Sequence, residues 1–262
     1  MAKKIFSFIL MLITTLFLTS CGSEELKNQN TNMQEVYNYA EEIENKMLVF
    51  SQSLLDLKFD VKSEEEYIAN IEAIDNINSS LKKVMDIKAP IGYEDMQKAL
   101  YKEGELISSF YIIEQQAYKL CLEEYKNEDK VFSEIEDTFF KMTNKAENMK
   151  LTEEDKEFFE KISLTLKEKP STNKGYMINF KWLLDLKAPI NFEEDFELIK
   201  EKIPTLLELD DKYIKTISEQ SEIINSKKDD FSKSLISFLS IYSEITQKID
   251  REYPDYYKKR AA

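Results

Sequence analysis

Apolar side chains recur along this sequence at alternating intervals of three and four residues. One run lies between residues 36 and 57, and similar runs lie between 131 and 149 and between 231 and 249. This spacing places the apolar side chains on one face of an α-helix. A period near 3.5 favours neighbouring helices packed in a left-handed bundle. The first run consists of Val36, Ala40, Ile43, Met47, Phe50, Leu54 and Leu57.

Other segments with helical periodicity lie between these three runs. Glycine, which strand-rich proteins need in frequent turns, occurs only 4 times in the chain. The predicted fold class is therefore all-α, as an elongated antiparallel helical bundle. Pro204 should either kink its helix or mark where the helix restarts, because proline removes a backbone donor. The additional helices are expected at about 64–87, 93–125, after 152, at 177–186 and at 192–224.

An eleven-residue segment occurs twice in related form. Residues 81–91 read LKKVMDIKAPI and residues 180–190 read FKWLLDLKAPI, so the two copies are offset by 99 positions. This period is too long for a solenoid repeat of roughly 20 to 50 residues. It favours duplication of a four-helix unit, and it predicts one helical unit over 33–150 and a second, packed with the first, over 151–262.

The proline of each copy is expected to be a structural joint between two helices. Pro90 and Pro189 disfavour helical geometry in the residue before them, so a helix should stop there. The next helix should begin at once, with Asn191 as N-cap and Glu194 completing a capping box after the second proline. A binding role for this Lys-Ala-Pro-Ile loop is the alternative interpretation.

The first residues have the order of a secretory signal. Lys3 and Lys4 precede an uncharged, largely apolar stretch at 5–18, which is shorter than the roughly 20 residues that span a bilayer. Leu18-Thr19-Ser20-Cys21 then resembles the lipobox of bacterial lipoproteins. The resemblance implies a signal peptide over 1–20 and lipidation of Cys21, by palmitate-type acyl chains, as the mature N-terminus. An ordinary secretory signal with an incidental cysteine is the alternative.

If this resemblance is correct, polar residues 21–32 form a lipidated flexible tether, and the protein lies on the extracytoplasmic side of the cell membrane. The formal net charge is −14, and loss of Lys3 and Lys4 with residues 1–20 makes it −16. A nucleic-acid partner is not expected, because phosphate binding needs a basic surface. The other cysteine, Cys121, lies in an apolar helical segment and is interpreted as a buried residue without a disulfide partner.

The chain contains no histidine. This excludes Ser-His-Asp catalysis, Glu-x-x-His di-iron sites, zincin motifs and His-ligated haem. No enzyme activity and no cofactor are predicted, although a carboxylate-based hydrolase remains chemically available. Acidic clusters at 64–66, 153–155 and 193–195 each follow a capping residue. They are interpreted as first turns of helices, where negative charge is favourable, and no metal site is predicted.

Two carboxylates fall on apolar stripes and are the candidate binding residues. Glu103 lies between Leu100 and Ile107, and Asp210 lies between Leu206 and Tyr213. A carboxylate in a bundle core needs a partner or a raised pKa. Either a local change of face or a nearby lysine solvates each group, or the groups form a polar pocket for a cationic ligand.

The expected function is a surface-anchored, non-enzymatic lipoprotein. It would attach to the membrane through lipid on Cys21 and bind an unknown protein or cell-envelope component through its helix faces. The second hypothesis is a solute-binding lipoprotein that binds a small cationic ligand between its two halves. A carboxylate-based hydrolase of the envelope is the third.

Overall fold

The computed structural model describes residues 30–59, 61–167 and 174–256. Within these ranges the fold is an all-α bundle, as predicted, and they contain no strand. The expected signal peptide, Cys21 and most of the tether lie outside the described residues. The helices are α1 (Asn30–Ser53), α2 (Glu64–Met85), α3 (Glu94–Ala146), α4 (Glu153–Lys167), α5 (Lys174–Leu183) and α6 (Glu193–Glu252), with 3-10 turns at Leu54–Asp56 and Ile190–Phe192.

The chain forms two compact units that are each assembled from separated segments. Unit 1 comprises Met1–Leu57, Glu72–Ile112 and Lys227–Ala262. Unit 2 comprises Lys58–Ile71 and Ile113–Ser226. These bounds differ from the expected division into 33–150 and 151–262. The difference arises because α3, with 53 residues, and α6, with 60 residues, each contribute to both units.

Two helix boundaries expected from the apolar pattern are absent from the described structure. Residues 94–125 and 131–146 belong to one helix, α3, and residues 193–224 and 231–249 belong to α6. The polar linking residues contain neither glycine nor proline, so no local signal ends either helix. Pro204 is exposed, and α6 extends on both sides of it.

The interior of unit 1 is built from aromatic and aliphatic contacts between helices. Phe50 of α1 packs edge-to-face on Phe238 of α6, with ring centroids 5.9 Å apart. Phe110 of α3 stacks on Phe231 of α6 at 4.1 Å. Such aromatic pairs stabilise a core beyond their buried area. The α1 seam predicted from the sequence is buried from Val36 to Phe50.

The first helix of unit 1 meets the segment after α6 through tyrosines. The ring of Tyr37 lies 5.9 Å from that of Tyr253 and 5.1 Å from that of Tyr256. Tyr256 is buried, although it lies beyond Ile249, the last residue of the apolar run at 231–249. The contact with Tyr37 supplies the apolar partner that the sequence pattern did not show.

In unit 2, α3 and α6 run antiparallel. Glu124 of α3 pairs with Lys212 of α6, and Lys145, further along α3, pairs with Asp195, nearer the start of α6. Helices α4 and α5 complete an apolar cluster with these two. The buried aromatic members of this cluster are Phe132, Phe139, Phe158, Phe159, Phe180, Phe192 and Phe196.

Candidate functional site

A layer of acidic side chains interrupts the interior of unit 2. On α6, Asp210 lies one helical turn after the buried Leu206 and three residues before the buried Tyr213. On α3, Glu128 lies seven residues after Cys121 and four before Phe132, both of which are buried. Asp210 is 0% exposed and Glu128 is 1% exposed. The antiparallel arrangement of α3 and α6 thus places two buried carboxyl groups opposite each other.

These two carboxyl groups have few hydrogen-bond partners. Both side-chain oxygens of Asp210 and Oε1 of Glu128 have no donor among the described residues. When both groups are ionised, each is only an acceptor, so they cannot satisfy one another. A proton on one of them supplies a donor, and Asp210 and Glu128 can then hydrogen bond.

Burial raises the pKa of both groups. For Glu128, burial is the largest cause, followed by the charge of Asp210, and the pKa rises to about 8. For Asp210, burial and the charge of Asp211 raise the pKa to about 6, while the hydrogen bond from Glu128 lowers it. At neutral pH the two carboxyl groups therefore share one proton. This proton lies mainly on Glu128, which has the higher pKa.

A cluster of tyrosines adjoins the acidic layer. The hydroxyls of Tyr67 and Tyr213 hydrogen bond at 2.8 Å. The ring of Tyr125 lies 6.1 Å from that of Tyr67 and 5.9 Å from that of Tyr213. The charge of Glu128 contributes to raising the pKa of Tyr125 and of Tyr213, after the larger effect of burial in each case. The aromatic cluster and the acidic layer are therefore neighbours.

Cys121 belongs to the same cluster and is 6% exposed. Burial, followed by the charge of Glu124, raises the pKa of the thiol to about 11. The thiol is consequently protonated at neutral pH and is a poor nucleophile. This environment agrees with the interpretation of Cys121 as a buried apolar residue.

The other candidate from the sequence, Glu103, has different surroundings and lies in unit 1. Glu103 is partly exposed, whereas the next residue, Gly104, is buried. A Cβ atom at Gly104 would lie 2.3 Å from Sδ of Met85. Gly104 thus occupies the inner position between Leu100 and Ile107, and it permits a close approach of the α2 side chains to α3. The structure does not bring Glu103 and Asp210 together in one unit.

Sequence reasoning missed Glu128 because it assigned residues 126–130 to a break between helices. Once α3 is continuous, Cys121, Glu128, Phe132 and Ile135 fall on one stripe with intervals of seven, four and three. Glu114, also missed, is a partly exposed residue of unit 2, and burial raises its pKa to about 7. An unbroken helical pattern through residue 146 would have placed Glu128 on α3, whereas Glu114 already lay within the helix expected at 93–125.

The two proline joints share their backbone hydrogen bonds. The amide of Tyr93 donates to the carbonyl of Pro90 at 3.1 Å, and the amide of Phe192 donates to the carbonyl of Pro189 at 2.9 Å. One turn earlier, Ile87 donates to Val84 and Leu186 donates to Leu183. Both pairs differ by the 99 positions of the sequence repeat, so both prolines occupy joints between helices.

The residues after each proline differ between the two joints. Gly92 has a φ of 90°, a left-handed conformation that favours glycine. At the equivalent position, Asn191 lies inside the 3-10 turn Ile190–Phe192 that leads directly into α6. The expectation that Asn191 is the N-cap of this helix is therefore wrong, because the 3-10 turn supplies the entry instead.

The acidic clusters lie where the sequence predicted them, in the first turns of α2, α4 and α6. At α4 the capping is reciprocal. The amide of Asp155 donates to Oγ1 of Thr152 at 3.2 Å, and the amide of Thr152 donates to Oδ2 of Asp155 at 2.8 Å. This is the capping-box arrangement, with aspartate in the role of glutamate.

No helix of the described residues is long and apolar enough to cross a membrane. The lipidation site expected at Cys21 lies outside these residues. Comparisons of the chain with protein-family models, with curated proteins and with solved structures found no match.

Proposed function

We propose that this chain is a lipid-anchored, non-enzymatic protein on the extracytoplasmic side of a cell membrane, and that it binds another protein or an envelope component. One observation carries the anchor: Lys3 and Lys4, the apolar stretch 5–18 and Leu18-Thr19-Ser20-Cys21 follow in the order of a lipoprotein signal. Dual or triple acylation of Cys21 supplies stable attachment.

The proline joints support a binding role for the domain surface. Ile91 is 78% exposed and Ile190 is 89% exposed, and they are equivalent residues of the repeat. Burial in the core cannot explain an isoleucine at either position, because both side chains lie in solvent. Each joint therefore offers an apolar contact point for a partner.

Replacement of Cys21 tests the anchor. We expect Cys21→Ser to move the protein from the membrane to the soluble extracytoplasmic fraction or to leave an uncleaved precursor, because the acylated sulfur is lost. The matched control is Cys121→Ala, which should remain in the membrane fraction. Normal processing and full detergent-phase partitioning of Cys21→Ser would contradict the proposed anchor.

Site-specific crosslinking tests the contact points. A photoreactive amino acid at position 91 or 190 of the anchored protein should crosslink in cells to one and the same partner. The control position is Leu106, which is 50% exposed on α3. With the photoreactive residue at one of these two positions, the yield of crosslinked partner should fall when the isoleucine at the other position is changed to serine. Equal yields at all three positions would contradict a role for the joints.

A second candidate function is the binding of a small cation. The observation that favours it is Asp210, a fully buried carboxyl group whose oxygens have no donor among the described residues. The sequence-based hypothesis located such a ligand between two halves of the chain. Asp210 and Glu128 instead define a candidate position inside unit 2.

A further inference from the structure

Three oxygen atoms in the acidic layer of unit 2 share one property. Oδ1 and Oδ2 of Asp210 and Oε1 of Glu128 are buried, and they have no hydrogen-bond donor among the described residues. Oε2 of Glu124 is also buried without a hydrogen bond, but it differs from these three because Nζ of Lys212 lies 2.9 Å from it. A buried acceptor without a donor costs about 1–3 kcal/mol, and more when it is charged. Folded proteins satisfy nearly all such groups, so these three oxygens require an explanation.

Nearby lysines do not supply the donors. Lys212 Nζ lies 2.9 Å from Oε2 of Glu124, one turn before Glu128 on α3. Lys202, two turns before Asp210 on α6, pairs with Glu134. The charged residues that act on the two carboxyl groups are the acidic Asp129 and Asp211. The local charge is therefore negative, and the lysines on these faces are engaged elsewhere.

The neighbouring tyrosines add a second attraction for positive charge. The faces of aromatic rings attract cations through their quadrupole. Tyr125 and Tyr213 adjoin Glu128, and both rings contact other rings of the cluster in edge or tilted geometry. A cation between the carboxyl groups would thus have carboxylate oxygens as partners, with Tyr125 three residues from Glu128 on α3 and Tyr213 three residues from Asp210 on α6.

The number of buried oxygens without a donor indicates which class of cation fits the site. A primary ammonium group has three N–H donors, which equals the number of oxygens without a donor. A quaternary ammonium has no N–H and would leave all three unsatisfied. Calcium takes six to eight oxygen ligands, and the described residues contain no group of three or more His, Cys, Asp or Glu that could hold a metal ion.

We propose that Asp210 and Glu128 bind the primary ammonium group of a small organic amine, which donates to Asp210 Oδ1, Asp210 Oδ2 and Glu128 Oε1. This inference rests on the second candidate function and specifies its ligand class. The ammonium group donates to both carboxylates only when both are ionised, so amine binding releases the shared proton. Amine affinity consequently rises with pH.

The test measures thermal unfolding and calorimetric binding of the full mature chain after equilibration with methylammonium or 1,4-diaminobutane. Tetramethylammonium, sodium and potassium at the same ionic strength are the controls. We expect saturable stabilisation by the two primary amines at pH 8.5, weaker stabilisation at pH 5.5, and none from tetramethylammonium beyond the effect of salt.

Substitutions locate the site. Asp210→Asn should weaken amine binding about tenfold or more, because hydrogen bonds to charged groups are the stronger ones. Glu222→Gln, an exposed carboxylate further along α6 with the same change of charge, should bind as the native chain does. If Asp210→Asn does not fold, Glu128→Gln and the pH dependence of the native chain make the same distinction.

The outcomes separate this inference from the function on which it rests. Equal saturable binding of tetramethylammonium or potassium, lost in Asp210→Asn, would overturn recognition of a primary ammonium group and retain a cation site. Absence of any effect beyond ionic strength would overturn both. Amine binding that persists unchanged in Asp210→Asn and Glu128→Gln would overturn the assignment to these residues.

Discussion

Asp210 and Glu128 couple the stability of unit 2 to pH. Their pKa values are raised in the folded protein, so the folded state binds a proton more tightly than the unfolded chain. The resulting stabilisation is fully present below the ordinary glutamate pKa of 4.5 and is lost as pH rises through about 8. The free energy of unfolding should therefore fall with rising pH over this window.

Removal of one carboxyl group should flatten this dependence. Asp210→Asn supplies an amide donor to Glu128 and removes the facing charge, so the decrease in unfolding free energy between pH 5 and 8 should shrink by on the order of 2 kcal/mol. Urea unfolding at several pH values measures the change. Glu222→Gln, an exposed carboxylate further along α6, is the control, and an equal flattening there would contradict the shared proton.

A side chain at Gly104 would meet Met85 in the interior of unit 1. Alanine would gain helix propensity of about 1 kcal/mol, but its Cβ would lie 2.3 Å from Sδ and 2.7 Å from Cγ of Met85. Overpacking of this kind costs about 1–3 kcal/mol. Gly104→Ala should therefore destabilise unit 1, and in a Met85→Ala background it should stabilise. Denaturant unfolding of the four variants measures this coupling.

The surroundings of Asp210 and Glu103 differ in a way that the apolar pattern of the sequence does not show. Asp210 was identified from the sequence because large apolar residues flank it at helical spacing. The same reasoning chose Glu103, although Leu100, Gly104 and Ile107 fit the spacing equally well. A glycine is not counted as an apolar residue when such a pattern is read. Gly104 nevertheless lies on the buried face, because it has no side chain.

At the scale of the element, the two joints provide matched variants. Gly92→Ala forces a residue with a Cβ into a φ of 90°, although nothing lies within 4 Å of that Cβ. The expected cost is backbone strain alone, about 1–2 kcal/mol. Asn191→Ala, the equivalent change in the other copy, should be nearly neutral because Asn191 lies in a 3-10 turn. Thermal unfolding compares them, and equal losses would contradict this difference.

The continuity of α3 is tested where the sequence favoured a break. Asn127 is exposed in the middle of α3. Asn127→Pro should destabilise the protein by about 3 kcal/mol or more, because proline removes a backbone hydrogen bond and clashes with the preceding turn. Asn127→Ala keeps the helix and should be neutral or slightly stabilising. Tolerance of the proline would indicate that residues 126–130 form a linker.

Elements that depend on local chemistry were the most predictable from the sequence. The acidic first turns, the Thr152–Asp155 cap and both proline joints follow from interactions within a few residues. The lengths of α3 and α6 did not follow, because exposed polar residues at 126–130 and 225–230 are compatible with either a helix or a linker. Packing along the whole helix decides between these states.

At the scale of the molecule, the two units make truncation informative. A fragment with residues 33–150 lacks the 227–262 segment of unit 1 and the 151–226 segment of unit 2. In this fragment Phe50 of α1 would have no Phe238 to pack on, and Glu128 would have no Asp210 opposite it. We expect this fragment and the 151–262 fragment to lack cooperative unfolding when separate. Circular dichroism melting measures this, and a sharp transition in either fragment would support the sequence-based division.

The contact of Tyr37 with Tyr253 and Tyr256 has a consequence for the order of events during synthesis. The ribosome releases the N-terminal helix long before the residues that complete its core, whereas all of unit 2 has been made by residue 226. Vectorial folding from the N-terminus is therefore not available to unit 1. Its core is completed only when the last turns of the nascent chain have been made.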